Sequence, residues 1–289
     1  MTDLKDKCVI TCALTGVLTN PKKHPVPVTP EEMAAEARRA ADAGATIVHC
    51  HFRDQRPDMG HMPTWDPEIV NTIVETIKAE VPEMIINMST GVPGPDIDGP
   101  LACLKRCKPD MAAMNSGSLN YLKLTNENQW AWPPMLFDNP VDKIQKYLDV
   151  MHENNVVPEC ECFDTGIVRS VGLFEKKGML RKPVNVSFVM GVASGMPADP
   201  ELLPILKKLL NPDTRFQTIA VGRGEIWNVH RRCAELGGNV RTGLEDTFYP
   251  PSGEKVSSNG PLVEALVNVV RETGREPANF EEARKIALR

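Results

Sequence analysis

The sequence predicts an α/β fold of the (β/α)8 TIM-barrel type, and three observations carry that expectation. Eight short runs of apolar and β-branched residues recur along the 289 residues, each followed by a turn and a stretch of helical periodicity. The units average roughly 36 residues, which suits a closed parallel barrel in one catalytic domain spanning residues 1–289. No GxGxxG follows the first run, which argues against a doubly wound dinucleotide-binding sheet.

The expected strands are, in order, 8–14 (CVITCAL), 46–53 (TIVHCHFR), 84–90 (MIINMST), 111–117 (MAAMNSG), 157–164 (VPECECFD), 185–191 (NVSFVMG), 215–221 (RFQTIAV) and 240–245 (VRTGLE). Helices fit at 30–43, 67–80, 98–107, 140–154, 167–177, 199–210, 225–236 and 259–273. The first is punctuated at both ends: Thr29 stands at the cap, Pro30 at the first helical position, Glu32 three residues after the cap, and Gly44 beyond the last turn. One connection, 118–139 (SLNYLKLTNENQWAWPPMLFDN), is much longer than a βα turn and carries Trp130 and Trp132. A loop of that length at the catalytic end of a barrel reads as a lid or pocket wall.

Residues two apart on a strand point to one face, so His49 and His51 project together while Cys50 faces the other way. At the carboxyl end of a barrel strand the pair can chelate one ion; the alternative is two histidines hydrogen-bonded within the core. A catalytic zinc takes a third protein ligand and keeps one position open, and Glu245 at the end of the eighth strand is the candidate. His24, His61, His152 and His230 fall in loops or helices, unlike the further strand histidines of an amidohydrolase.

Arg241 shares a face with Glu245, and Asp246 follows at the tip. A fixed cation there can hold a substrate carboxylate or an oxyanion, or else form an ion pair inside the barrel. Glu159 and Glu161 share a face on the fifth strand, where a buried carboxylate is costly without a partner, which marks at least one as functional. Cys160 and Cys162 point the opposite way and read as core packing. Ser89, Thr90 and Gly91 end the third strand and Asn115 the fourth, offering groups for a carbonyl or carboxylate, or for helix caps. Gly191, Gly195 and Arg223 lie in glycine-bearing turns after the sixth and seventh strands, where barrels often bind phosphate.

The formal charge of -5, with no Lys/Arg cluster interleaved with aromatics, excludes nucleic acid as an expected partner. The first residues show no signal-peptide core, and no run reaches the roughly 18 apolar residues of a membrane span, so the expectation is a soluble cytoplasmic protein without a membrane partner. In that setting the eight cysteines read as reduced thiols.

Taken in order, ITCALTG, PVTPEE, GATIVHCHFRD, NMSTG, MNSGSLN, VPECECFDTG, MGVASGM, VGRG, GGNVRTGLED and SSNGPLV run through essentially the whole chain and resemble the β-keto acid cleavage enzyme family. The resemblance implies a zinc-containing barrel that condenses a β-keto acid with acetyl-CoA, releases acetoacetate and a new acyl-CoA, and assembles as a homo-oligomer, a tetramer. It implies His49, His51 and Glu245 as ligands to Zn2+, Ser89 at the substrate carboxylate or carbonyl, Glu161 beside the reacting centre, and Arg241 with Asp246 as the acid/base pair.

Two departures bear on the substrate. Family members that take an amino-bearing keto acid carry a Glu where this chain has Leu18, and a threonine where it has Ala113. The expectation is a more apolar distal pocket and no preference for 3-keto-5-aminohexanoate. Trp130 and Trp132 alternatively suit a quaternary ammonium, as in dehydrocarnitine, through cation-π contact. The alternative activity is a zinc-dependent hydrolase or metal-dependent aldolase working without CoA on the same barrel.

Overall fold

Residues 4–289 are described in a computed structural model, and their order follows the alternation expected from the sequence. The first half comprises β1 (Lys7–Cys8), β2 (Ile10–Ala13), α1 (Pro30–Ala43), β3 (Ile47–Cys50), α2 (Pro67–Glu80), β4 (Ile85–Ser89), α3 (Asp98–Cys107) and β5 (Met111–Asn115). Next come β6 (Leu119–Tyr121), β7 (Met135–Phe137), α4 (Val141–Glu153), β8 (Val157–Cys162), α5 (Thr165–Lys177) and β9 (Asn185–Met190). The chain ends with α6 (Leu202–Lys208), β10 (Arg215–Ala220), α7 (Ile226–Glu235), β11 (Asn239–Thr242), α8 (Gly260–Glu272), β12 (Glu276–Pro277) and α9 (Phe280–Ala287).

Eight parallel strands close in the order β10-β11-β2-β3-β4-β5-β8-β9. Helix α1 begins where its capping box requires: the Thr29 hydroxyl accepts the Glu32 N–H, and Glu32 accepts the Thr29 N–H at 3.0 Å. Outward-pointing strand residues such as Cys12, Cys50, Met88, Cys160 and Phe188 join the helices' buried faces in one apolar layer.

The interior is more polar than the branched aliphatic layers that usually fill such barrels. Below the mouth, Glu159 accepts from Gln217 Nε2 at 2.7 Å and from Asn87 and Ser187, so three neutral donors satisfy a carboxylate sealed from solvent. Lower still, Val9, Ile47, Ile85 and Met111 pack against Ala278, Ala283 and Ala287, so α9 closes the amino-terminal end.

Several boundaries differ from the sequence reading; the run 46–53, for one, is a strand only over Ile47–Cys50, so His51 and Arg53 lie past its end. The run 8–14 splits because Val9 leaves the ladder and donates to Asn239 Oδ1 at 2.9 Å; Lys7–Cys8 pairs instead with Glu276–Pro277. The eighth barrel strand stops at Thr242, so Glu245 is not on a strand. The long connection after β5 is an antiparallel hairpin, with Leu119 opposite Phe137 and Tyr121 opposite Met135. It is tied down at both ends: Ser194 accepts the Leu122 N–H at 2.6 Å and donates to Asn120 O, while Lys143 Nζ donates to the carbonyls of Val92, Gly94 and Asp138 at 3.1, 2.9 and 2.8 Å.

All eight cysteines are free, and Cys107 alone among them is not fully buried. The native chain is therefore expected to expose one thiol to an aromatic disulfide reagent, to lose that signal on Cys107→Ala, and to titrate eight thiols in denaturant. Several fast-reacting thiols in the native Cys107→Ala protein would contradict this packing. Among the described residues no helix is long and apolar enough to cross a membrane.

Candidate active site

The carboxyl ends of β2, β3, β8 and β11 bring most of the candidate residues together. His49 is in β3, and His51 lies one residue beyond its end; their rings meet edge-on with centroids 5.2 Å apart. Glu245 arrives differently from the sequence expectation. After Thr242 the backbone turns at Gly243 (φ 150°), where a Cβ would stand 2.2 Å from the Ala13 carbonyl oxygen, so only glycine permits the crossing. Glu245 then donates its own N–H to Ala13 O at 3.3 Å, which fixes the turn over the mouth.

In that position Glu245 Oε1 lies 3.4 Å from His51 Nε2 and Oε2 lies 3.8 Å from His49 Nε2. The three residues can each offer one ligand atom, all within 4.8 Å of one another. Their chemistry suits a divalent metal. Burial, reinforced by the Arg241 charge, holds His49 well below its usual pKa and therefore neutral. Burial pushes Glu245 upward, but Arg241 and then His51 outweigh it and keep the carboxylate ionised. Its buried Oε2 has no hydrogen-bond partner among the described residues, as expected of an oxygen set to face a cation.

Arg241 is sealed beneath this cluster at 2% exposure. It grips Asp246 with Nε and Nη2 at 3.0 and 2.9 Å, and Nη2 also reaches Glu245 Oε1 at 2.8 Å. Its Nη1 is buried without a hydrogen-bond partner among the described residues and lies 3.7 Å from Glu161 Oε1. Three carboxylates thus converge on one guanidinium, and Asp246 and Glu245 hold Arg241 well above its ordinary value against the opposing effect of burial. Burial raises Asp246 to about 6, with Glu245 adding to the rise and Arg241 opposing it. Burial, aided by Glu159, raises Glu161 to about 8.

The Glu161 shift has a measurable consequence. Between the ordinary carboxylate pKa and about 8 the folded chain binds a proton that the unfolded chain does not, so this residue's contribution to stability falls as pH rises through that window. In the metal-free protein Glu161→Gln is expected to raise the Tm at pH 9 relative to wild type, with the difference shrinking towards pH 5. A variant less stable than wild type at pH 9 would refute the shift.

The remaining candidates form a second group beside this one. A Cβ placed on Gly91 would meet Asn115 Nδ2 at 3.2 Å, the Phe137 ring at 3.9 Å and Ser89 Oγ at 4.0 Å, so the glycine opens a space between a hydroxyl and an amide. Phe137 reaches there from the hairpin and packs edge-on against Phe163. The Thr90 hydroxyl is engaged with Ala113 O at 2.6 Å. Gly191 and Gly195 use their N–H groups within their own turn, on Met196 O at 2.7 Å and Val192 O at 3.2 Å. The Arg223 guanidinium stacks 4.7 Å above Tyr249. Leu18 lies outside both groups and is 85% exposed. The Trp132 ring stacks on Tyr121 within the hairpin, whereas Trp130 is half exposed.

The sequence reading missed Phe137, hidden in a polar connection, and Arg53, whose buried guanidinium lies near Glu245. Burial lowers Arg53 to about 10 while the Glu245 charge resists.

The family model described as beta-keto acid cleavage enzyme matches residues 7–288. The chain belongs to this family. Among its relatives, the 3-keto-5-aminohexanoate cleavage enzyme of Acetoanaerobium sticklandii is 34% identical over 282 residues, covering 97% of this chain and 98% of that protein. The 3-oxoadipate:acetyl-CoA acetyltransferase of Cupriavidus necator is 30% identical over 96% of this chain and 94% of its own length. The apo structure of ObcA superposes with a TM-score of 0.74 at 19% identity, covering 91% of this chain and 65% of the ObcA chain, a likeness of fold. This member of the beta-keto acid cleavage enzyme family thus places its two imidazoles, its carboxylates and its buried arginine at the catalytic end of the barrel.

Proposed function

We propose that this chain condenses a β-keto acid with acetyl-CoA, releasing acetoacetate and a new acyl-CoA, with Zn2+ held by His49, His51 and Glu245. The observation that carries the reading is the meeting of these three side chains directly above a buried arginine that also binds Asp246. Bound zinc would act there as a Lewis acid towards a carbonyl oxygen.

The chain's own residues supply the rest. Ser89 and Asn115, either side of Gly91, receive the substrate carboxylate through a hydroxyl and an amide. Thr90 acts through its backbone and its tie to β5, and Gly191, Gly195 and Arg223 shape the rim along which CoA lies. Arg241 stays protonated, so it serves as a fixed cation whose free Nη1 can donate to developing negative charge, and not as a base. Asp246, the other half of the pair, takes the proton from the carbon next to the carbonyl. Glu161 lines the open side of the same guanidinium, where it can return a proton to the product.

Ala113, buried in β5, supplies no hydroxyl for an ammonium substrate, which favours a β-keto acid with an uncharged end. The chain is read as one catalytic domain of a cytoplasmic homo-oligomer. A panel of neutral β-keto acids and 3-keto-5-aminohexanoate, each with acetyl-CoA, tests the reading through the acyl-CoA formed. Turnover without acetyl-CoA would favour a hydrolase or aldolase, and the amino acid as best substrate would overturn the apolar distal pocket.

A further inference from the structure

We propose that Arg53 is a positioning residue for the metal cluster, fixing the Thr15–Gly16 turn that forms the wall behind Glu245. The inference rests on the metal reading of His49, His51 and Glu245. Arg53 is 1% exposed. Its Nε donates to Thr15 Oγ1 at 2.9 Å, Nη2 to Thr15 O at 3.1 Å and Nη1 to Gly60 O at 3.0 Å. The Thr15 hydroxyl in turn donates a hydrogen bond to Pro27 O at 2.7 Å. One guanidinium therefore ties the β2–α1 connection to the β3–α2 connection at the barrel mouth.

All three bonds end on uncharged oxygens. A buried guanidinium without a hydrogen-bonded carboxylate is a costly way to hold a loop, and an apolar side chain would fill the same space more cheaply. What the arrangement gains is placement of the neighbouring residue. Gly16 follows Thr15 with φ 58°, and a Cβ there would stand 2.8 Å from Glu245 Cγ and 3.3 Å from Glu245 Cβ. The turn's backbone is thus in direct contact with the stem of the third ligand. Arg241 Nη2 holds Oε1 of the same carboxylate at 2.8 Å, so Glu245 is fixed by the turn along its stem and by a guanidinium at its tip.

The bracket and the two imidazoles also share one stretch of chain. Arg53 stands two residues beyond His51, as His51 stands two beyond His49, so a shift of the Thr15–Gly16 turn would move the third ligand relative to the first two. Outer groups that orient metal ligands typically change metal affinity 10- to 100-fold when removed.

The test measures the Zn2+ dissociation constant of the metal-free wild type, Arg53→Lys and Thr15→Val by competition with a chromophoric chelator, alongside the visible spectrum of each Co2+ form. Arg53→Lys keeps the charge and loses the fork. It is expected to bind Zn2+ 10- to 100-fold more weakly and to alter the Co2+ bands, with the metal-free Tm within a few degrees of wild type. Wild-type affinity and spectrum in this variant overturn the bracket alone. A wild type that binds no Zn2+ overturns the metal reading and the inference with it. Should Arg53→Lys fail to fold, Thr15→Val decides: weaker Zn2+ binding supports the bracket, and unchanged binding overturns it.

Discussion

The double substitution His49→Ala, His51→Ala is expected to remove bound zinc and to lower turnover by at least about 10³-fold while leaving the barrel folded. The fold survives because the two imidazoles contribute little to the apolar layer between strands and helices, which is built from outward-facing residues such as Cys50 and Val48. The activity does not, because Glu245 is left as a single ligand facing Arg241. A thermal measurement separates the two effects. Wild type in free zinc at 100 times its dissociation constant gains about 2.7 kcal/mol of stability, whereas the double variant gains nothing. Zinc content equal to wild type in the folded variant would sink the metal assignment. Loss of the far-ultraviolet signal would instead mean that the histidines are structural.

Much of this architecture was legible because local signals and barrel geometry agree. Thr29, Pro30, Glu32 and Gly44 bound the first helix where the structure bounds it, and alternation placed His49 and His51 on one face. Other features were read for the wrong reason or not at all. Glu245 meets Arg241 through a turn that Gly243 alone allows, not through a shared strand face, so the spacing of four worked by a different geometry. The last helix escaped notice because its buried residues, Ala283 and Ala287, are small and lie beyond the eighth repeat, although Asn279 and Glu282 form a full capping box. The hairpin was hidden by Asn120, Asn126, Asn128 and two prolines, which read as loop. Arg53 illustrates a general blind spot: the sequence reads it as the last residue of the strand 46–53, and nothing marks its charge as buried until the structure shows three neutral acceptors around it.

Asp246→Asn is the second change with a large expected effect, and it distinguishes the roles within the buried pair. The amide keeps the shape and can still accept one of Arg241's two bonds, so the loss should fall on proton transfer: about 10²- to 10⁴-fold in kcat, with a smaller change in KM. Burial raises Asp246 to about 6 in the metal-free protein, and a bound dication would pull it lower, so wild-type kcat/KM is expected to fall on the acid side, below that value, and this acid limb should vanish in the variant. Arg241→Met provides the contrast. It leaves Glu161, Glu245 and Asp246 facing one another without their shared cation, which costs about 3–5 kcal/mol of stability by the usual penalty for breaking a buried ion pair. Arg241→Met should therefore unfold at markedly lower temperature, whereas Asp246→Asn, which keeps one of the two bonds and leaves Glu245 on the guanidinium, should lose less. If the ordering were reversed, with Asp246→Asn active and keeping the acid limb, the proton would have to be taken elsewhere. Glu161, on the open side of the same guanidinium, would then be the group to replace.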